Sequence, residues 1–240
     1  MRNNRPRDID VIILCGGLGT RLQSVIDDRP KPMAEINGAP FLDILIDYVA
    51  SYGFTRFILC TGYGSDFIKR YYENKRTKLT VLISNEERPL GTAGAIKNGE
   101  SLIESDIFLA LNGDSLCEID LRDFLRFHFE KRAFISIVLA TMEMAMDYGV
   151  IKLDGDGQII RFDEKILTDG NGLINAGVYL FDRRILEEIP SGQKQSLEYD
   201  LIPRILDKGI YGYVTEKGLL DIGTPERLEM ARKYLREVKI

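Results

Sequence analysis

Residues 12–31 read IILCGGLGTRLQSVIDDRPK, and this stretch decides the fold. It begins within an apolar run, residues 11–14, that predicts a buried strand. Three glycines then break the run: Gly16, Gly17 and Gly19. Because glycine has no Cβ, several backbone N–H groups can turn toward one anion there. Arg21 and Lys31 follow with two positive charges. The stretch therefore predicts a loop that binds phosphate.

Other interpretations of this loop stay open. A glycine loop after a strand can be only a tight turn. The spacing lacks the Gly-Lys-Ser/Thr ending of a P-loop. It also fails the dinucleotide-binding pattern, because Leu22 stands where the third glycine is required. The chemistry indicates phosphate binding, but neither familiar phosphate loop is matched.

Composition excludes several function classes. The 240 residues carry a net charge of −5 and are 45% hydrophobic, as in an ordinary globular protein, and no basic stripe indicates nucleic acid. No apolar run approaches the ~20 residues of a membrane span, so we expect a cytoplasmic protein with no membrane partner. Three cysteines, an odd number near the ends of apolar runs, predict free buried thiols. The only histidine, His128, is expected to be a surface or packing residue.

Strand-like and helix-like patterns alternate along the first half of the chain. The predicted strands are 11–14, 54–60, 79–84 and 107–111, and the predicted helices are 40–52, 63–73, 92–102 and 120–132. This alternation predicts an α/β fold with a parallel, doubly wound sheet, in which ligands bind at the carboxyl ends of the strands. In the second half we expect strands at 134–141, 148–153, 158–163, 175–181, 210–214 and 218–221, and helices at 197–206 and from Thr224 onward. We expect one domain, 1–240, in which residues 133–240 add a lid or substrate half to residues 1–132.

Two acids follow apolar strands in the same way. Asp114 ends LALNGD and Asp221 ends LLD, and each is closely followed by a small or glycine residue. Carboxylates at strand ends can share one Mg²⁺, a hard cation that prefers oxygen ligands. A helix cap or turn role is the alternative for either acid alone.

Three further features lie near predicted element ends. The small-residue loop 89–95, PLGTAGA, lets a flat ring approach the backbone, although it can equally be a plain helix start capped by Thr92. Lys165 follows a strand and is available to a second phosphate, or is simply solvated. Glu198 can bind sugar hydroxyls or favour the helix dipole.

Seven motifs identify a family. GGLGTRL followed by RPKP resembles the pattern of sugar-phosphate nucleotidyltransferases. PLGTAGA, LNGDS, FDEK, NAGVY, LEYDLIP and DIGTPE follow in that family's order and cover nearly the whole chain. The resemblance implies a Rossmann-like, mixed, mainly parallel sheet with helices on both faces and a small sugar-binding β subregion. It also implies transfer of a nucleoside monophosphate from an NTP to a sugar 1-phosphate, with release of pyrophosphate.

The resemblance also implies a role for each matching residue. Catalytic roles fall on Arg21, Lys31 and Asp114. The nucleotide would contact Leu14, Gly16, Gly17, Gly19, Thr20, Arg21, Glu86, Gly91, Thr92 and Asn112. The sugar phosphate would contact Gly149, Glu164, Lys165, Asn175 and Glu198. Mg²⁺ would be bound by Asp114 and Asp221.

Separate features of the sequence indicate the base and the sugar. Glu86 and Glu87 precede the small-residue loop, and a carboxylate there can accept the N1–H and N2–H₂ donors of guanine, which favours GTP; a solvated acidic pair is the alternative. The likeness is to short family members acting on heptose 1-phosphates for capsule, S-layer or lipopolysaccharide glycans. Uridylyl, cytidylyl or thymidylyl transfer to another sugar is the alternative, and a homodimer is compatible with the sequence.

The sequence argues against two other function classes. A non-catalytic regulatory subunit would usually lack Lys31 or one of the acids, and this chain retains them. A Rossmann-type nucleotide-binding or redox protein would need an acid at the end of the second strand, which instead ends in Cys60-Thr61.

Overall fold

A computed structural model describes residues 5–17, 19–22, 25–26, 29–142, 150–163 and 172–238. Its strands are β1 (Asp10–Leu14), β2 (Glu35–Ile36), β3 (Ala39–Pro40), β4 (Arg56–Thr61), β5 (Thr80–Asn85), β6 (Ile107–Asn112), β7 (Ser115–Cys117), β8 (Ile135–Met142), β9 (Val150–Leu153), β10 (Ile159–Asp163), β11 (Gly172–Asp182), β12 (Ile210–Thr215) and β13 (Leu219–Asp221). Its α-helices are α1 (Phe41–Ser51), α2 (Ser65–Asn74), α3 (Gly91–Asn98), α4 (Leu121–Lys131), α5 (Ile202–Arg204) and α6 (Pro225–Glu237).

One mixed sheet organises the described residues. Its strands run in the order β10-β9-β11-β6-β1-β4-β5, and β8 lies beside both β11 and β12. β6, β1, β4 and β5 are parallel, whereas β11 is antiparallel to β6 and β8. Because the parallel strands all end at one edge, the loops after β1, β4, β5 and β6 meet there.

Apolar side chains alternate between the two faces of the sheet. On β1, Val11 and Ile13 point to the face covered by α1, α2, α4 and α6, whereas Ile12 points to the face covered by α3. All three are fully buried. This alternation follows from the period of two along a strand, and it places helices on both faces as predicted.

Helix ends match the local sequence signals. The Asp120 carboxylate accepts hydrogen bonds from the N–H groups of Arg122 and Asp123 at the start of α4, and Thr224 accepts one from the N–H of Arg227 in α6. None of the helices in the described ranges has both the length and the apolar character that crossing a membrane requires.

The segment after β11 departs from the prediction. One helix over 197–206 was expected, but the structure has a π-helical turn (Leu197–Leu201), the short α5 and a 3₁₀ turn (Leu206–Lys208). Pro203 lacks the N–H that a regular helix would use, which helps to explain the break. Other short 3₁₀ turns cover Pro6–Asp8, Lys31–Met33, Glu100–Leu102 and Arg183–Glu188.

Two small sheets were not predicted. β2 and β3 form a short hairpin, and β13 pairs antiparallel with β7. In that second pair Asp221 lies opposite Ser115, the neighbour of Asp114. Strand pairing therefore brings together two acids that are more than a hundred residues apart.

Candidate active site

A cavity of about 330 Å³ opens at the carboxyl edge of β1 and β6. Half of its lining residues were proposed for the nucleotide from the sequence, and two more, Lys31 and Asp114, were proposed to be catalytic. The lining is formed by Leu14, Cys15, Gly16, Gly17, Lys31, Pro32, Glu86, Pro89, Gly91, Thr92, Ala95, Asn112, Asp114 and Lys194. Backbone from the glycine loop, cations and carboxylates thus face a common space large enough for part of a small-molecule substrate.

Glu86 packs against the glycine loop. A Cβ atom placed on Gly16 would lie 2.8 Å from Glu86 Oε1, and one placed on Gly62 would lie 2.7 Å from the same oxygen. The other oxygen, Oε2, accepts a hydrogen bond from Leu90 N–H at 3.0 Å. Burial raises the pKa of Glu86, while the Leu90 N–H opposes that rise. Glu86 is therefore a positioned, half-buried carboxyl group, unlike its exposed neighbour Glu87.

Lys31 is held in the cavity from two sides. Gly19 has φ +59°, and a Cβ atom there would lie 3.0 Å from Lys31 Cβ, so glycine is needed for both conformation and space. The Lys31 ammonium donates to Asp114 Oδ2 at 2.5 Å, and the Lys31 side chain is only 12% exposed. A cation and a carboxylate at the end of β6 are thus paired where a phosphate would enter.

Asp221 lies close to the same cation. Its Oδ1 accepts from Gly223 N–H at 2.6 Å and its Oδ2 accepts from Arg227 Nη1 at 2.7 Å. A Cβ atom placed on Gly223 would lie 2.7 Å from Asp221 Oδ1, 3.5 Å from Lys31 Nζ and 3.8 Å from Arg21 Nη2. Arg21, Lys31 and Asp221 therefore converge on Gly223, although Arg21 and Asp221 do not line the cavity itself.

A hydrogen-bonded chain joins Asn175 and Glu198. Asn175 Nδ2 donates to Tyr179 Oη at 2.7 Å, and Tyr179 Oη donates to Glu198 Oε1 at 3.0 Å. Glu198 Oε2 accepts from Thr92 Oγ1 at 2.8 Å and from Ser196 Oγ at 2.7 Å. The structure thus connects two residues proposed for the sugar with Thr92, which was proposed for the nucleotide.

The small residues of the 89–95 loop face the chain itself. A Cβ atom on Gly91 would lie 2.5 Å from Gln195 O, and one on Gly94 would lie 2.7 Å from Gln193 O. Gln195 O also accepts hydrogen bonds from the N–H groups of Ala93 and Gly94. Small size at 91 and 94 is therefore needed for the backbone of 193–195, besides any ligand that Gly91 contacts in the cavity.

Some proposed residues remain apart from this arrangement. Thr20 is exposed and does not line the cavity. Gly149, Glu164 and Lys165 lie outside the residues that the structure describes. Conversely, Lys194 lines the cavity but was not proposed from the sequence. A single lysine in an SGQKQ segment looks the same as an ordinary solvated lysine.

Neither the histidine nor the thiols are suited to nucleophilic catalysis here. His128 is buried and its Nδ1 lies 2.9 Å from Ser136 Oγ, which confirms the packing role. Cys15, Cys60 and Cys117 are free and buried, as predicted. Burial raises the pKa of Cys60 to about 12 and that of Cys117 to about 11, and it also raises the pKa of Cys15. Their thiolate forms are therefore disfavoured.

Comparison with known proteins identifies the family. Residues 10–237 match the family model described as Nucleotidyl transferase. The chain belongs to this family. Membership confirms the enzyme class that the motifs indicated, a sugar-phosphate nucleotidyltransferase, and nucleotidyltransferases of this family commonly use a divalent metal.

Relatives match nearly the whole chain. D-glycero-alpha-D-manno-heptose 1-phosphate guanylyltransferase of Aneurinibacillus thermoaerophilus is 36% identical over 230 residues, covering 95% of this chain and 99% of that protein. Mannose-1-phosphate guanylyltransferase of Mycobacterium tuberculosis is 35% identical over 222 residues, covering 91% of this chain and 62% of that protein. The crystal structure of HddC from Yersinia pseudotuberculosis complexed with GMP-PN superposes with a TM-score of 0.83 at 35% identity, covering 95% of this chain and 99% of that one. The predicted fold class is therefore confirmed.

Proposed function

We propose that this chain transfers GMP from GTP to D-glycero-alpha-D-manno-heptose 1-phosphate and releases pyrophosphate. The observation that carries the proposal is the cavity in which the glycine loop, Lys31 and Asp114 meet, in a chain that aligns with a heptose 1-phosphate guanylyltransferase over 99% of that protein's length. Residues 1–132 would bind mainly the nucleotide, and residues 133–240 mainly the sugar phosphate.

The glycine loop and two cations would bind the triphosphate. Backbone N–H groups of the 16–19 loop would approach its oxygens, and Arg21 and Lys31 would lie beside them. A sugar 1-phosphate oxygen is already ionised at neutral pH, so it can attack the α-phosphorus without a general base. Negative charge then builds on the leaving pyrophosphate, where Lys31 would stabilise it. Positioning and charge stabilisation account for catalysis of this kind.

Asp114 and Asp221 would hold Mg²⁺. Both are carboxylates, the ligands that this cation prefers, and the β7–β13 pairing puts them on adjacent strand ends. Among the described residues no three His, Cys, Asp or Glu side chains are grouped to hold a metal, so triphosphate oxygens would have to complete the coordination. When bound, Mg²⁺ would neutralise phosphate charge and orient the triphosphate.

Glu86 would select guanine. Its Oε2 is held by Leu90 N–H, and its Oε1 lies beside Gly16 in the cavity. A carboxylate fixed in this way can accept the N1–H and N2–H₂ donors on one edge of guanine. Glutamine at the same position would present a donor in place of one acceptor, so the discrimination between bases would fall.

Glu198 and Asn175 would bind the sugar. Glu198 is anchored by three hydroxyl groups and projects from the segment beside the cavity-lining Thr92. Gly149, Glu164 and Lys165 would complete this pocket, with Lys165 on the sugar phosphate, as their motifs suggest.

Pyrophosphate release tests the assignment directly. The purified chain is incubated with Mg²⁺, one NTP and one sugar 1-phosphate, in a matrix of GTP, UTP, CTP and dTTP against the 1-phosphates of heptose, mannose and glucose. We expect the highest kcat/KM for GTP with the heptose. Preference for another NTP would overturn the guanylyl assignment, and preference for mannose would overturn the heptose assignment alone.

A pair of neighbouring variants tests the role of Glu86. Glu86→Gln is expected to raise the KM for GTP and narrow the preference for GTP over UTP by roughly tenfold or more. Glu87→Gln removes an equal charge from an exposed neighbour and is the matched control. Equal effects of the two variants would indicate general electrostatics and refute base reading by Glu86.

A further inference from the structure

The Glu198 carboxylate has nearly all of its hydrogen-bonding capacity used by the protein. Thr92 and Ser196 donate to Oε2, and Tyr179 donates to Oε1. A carboxylate offers about four acceptor positions, so these three bonds fix its orientation and leave about one position for a ligand. Which way that position points depends on the hydroxyl groups that hold the carboxylate.

The hydroxyl group of Thr92 is fully committed within the protein. Its single proton is donated to Glu198 Oε2 at 2.8 Å, and its oxygen accepts from Leu197 N–H at 2.7 Å. A threonine hydroxyl has only one proton to donate. Thr92 therefore has no donor left for a nucleotide, although it lines the cavity next to Gly91.

We infer that Thr92 is a positioning residue for the sugar pocket, and that its hydroxyl group acts on sugar 1-phosphate affinity through Glu198. This inference rests on the proposed function, in which Glu198 contacts the sugar. The sequence assigned Thr92 to contact with the nucleotide, whereas in this inference Thr92 orients the carboxylate that contacts the sugar. The effect crosses from α3, in the nucleotide half, to the 196–198 segment in the other half.

The experiment compares Thr92→Val with Thr92→Ser. Valine keeps the shape of threonine but has no hydroxyl, whereas serine keeps the hydroxyl. For each variant we would measure KM and kcat for both substrates, and the binding of GTP by calorimetry. Thr92→Val should raise the KM for the sugar 1-phosphate roughly tenfold or more, since hydrogen bonds to charged groups are strong, while GTP binding stays within about twofold. Thr92→Ser should remain near the wild type.

A double-mutant cycle separates action through Glu198 from a general structural effect. In a Glu198→Ala background, Thr92→Val should raise the sugar KM much less than it does alone, because the acceptor of the Thr92 hydroxyl proton is already gone. Additive effects would overturn the inference. Thermal unfolding of each variant verifies that it is folded, and Ser196→Ala, which removes another donor to the same oxygen, should give the same KM split.

The remaining outcomes are also decisive. A rise in the GTP KM alone would return Thr92 to the nucleotide site, and an unchanged sugar KM would show that Ser196 and Tyr179 suffice to hold Glu198. If Thr92→Ser raised the sugar KM as much as Thr92→Val does, the shape of the threonine side chain would be responsible, and the role of the hydroxyl group would be overturned. Failure of the wild type to release pyrophosphate with any sugar 1-phosphate would instead overturn the proposed function, and the inference with it.

Discussion

Acidification is expected to weaken the fold through the imidazole of His128. This residue of α4 is 2% exposed, and its Nδ1 lies 2.9 Å from Ser136 Oγ. Burial lowers the pKa of His128 from 6.5 to about 4, although the nearby Asp182 carboxylate partly opposes the shift. The unfolded chain would thus bind a proton at this residue at a higher pH than the folded chain does.

The size and direction of the effect follow from this difference in pKa. Between the two pKa values the unfolded state binds more protons, so the free energy of unfolding falls as the pH falls. The contribution of the neutral His128 side chain to the free energy of unfolding is fully present above about pH 6.5 and is lost as the pH falls toward about 4. From about pH 7.5 to about pH 5 the expected loss is about 2 kcal/mol, and the whole shift corresponds to about 3 kcal/mol.

Urea unfolding of the wild type and of His128→Asn measures this contribution. Asparagine keeps a polar amide but does not titrate, and the other titratable side chains are the same in both proteins. The variant should start less stable because of the smaller side chain, but it should lose about 2 kcal/mol less than the wild type between the two pH values. Parallel stability curves would refute the reasoning, since they would mean that His128 is not held neutral by burial.

Three further substitutions have expected outcomes. Lys31→Met should lower kcat by about 10²-fold or more with the fold intact, since one charge-stabilising donor is lost. Lys69→Met, which replaces an exposed lysine, is the control in the same pyrophosphate assay. Equal activity of the two variants would contradict the role of Lys31. Gly177→Ala should lower the free energy of unfolding by about 1–3 kcal/mol, because φ is +71° and the new Cβ would lie 2.5 Å from Asn112 Nδ2. An unchanged urea midpoint would contradict this strain and show that the β11 backbone adapts. Asp10→Asn should lower the free energy of unfolding by about 1–3 kcal/mol, because the buried carboxylate that bonds Arg56 loses its charge while Arg56 keeps Glu104 as a partner. The KM values should stay unchanged, as Asp10 starts β1 at the edge opposite the cavity, and altered KM values would contradict that separation.

Much of the nucleotide half could be predicted from sequence because its signals are local. Apolar runs mark β1, β4 and β6, and glycine or an acid follows at the strand ends. Gly16, Gly17 and Asn112 line the cavity because parallel strands bring their carboxyl ends to one edge. A strand-and-helix alternation determines that edge without any knowledge of distant contacts.

The second half was harder to predict because its site depends on distant pairings. A strand was expected at 218–221, but the three-residue β7 was not, and neither was the pairing of β13 with β7 that brings Asp221 beside Asp114. The expected helix over 197–206 breaks into three turns, and Glu198 is oriented by hydroxyls from separate segments. Such contacts depend on tertiary packing, which a local pattern does not encode.

The close packing of 193–195 on Gly91 and Gly94 has a consequence for enzyme engineering. Because the backbones of the two stretches are in contact, a larger residue at either glycine would displace residues 193–195 and move the nearby Glu198 with them. If the 89–95 loop were replaced by that of a relative with another base preference, the new loop would not fit against residues 193–195 of this chain. The two stretches should therefore be exchanged as a matched cassette, although about a hundred positions separate them in the gene.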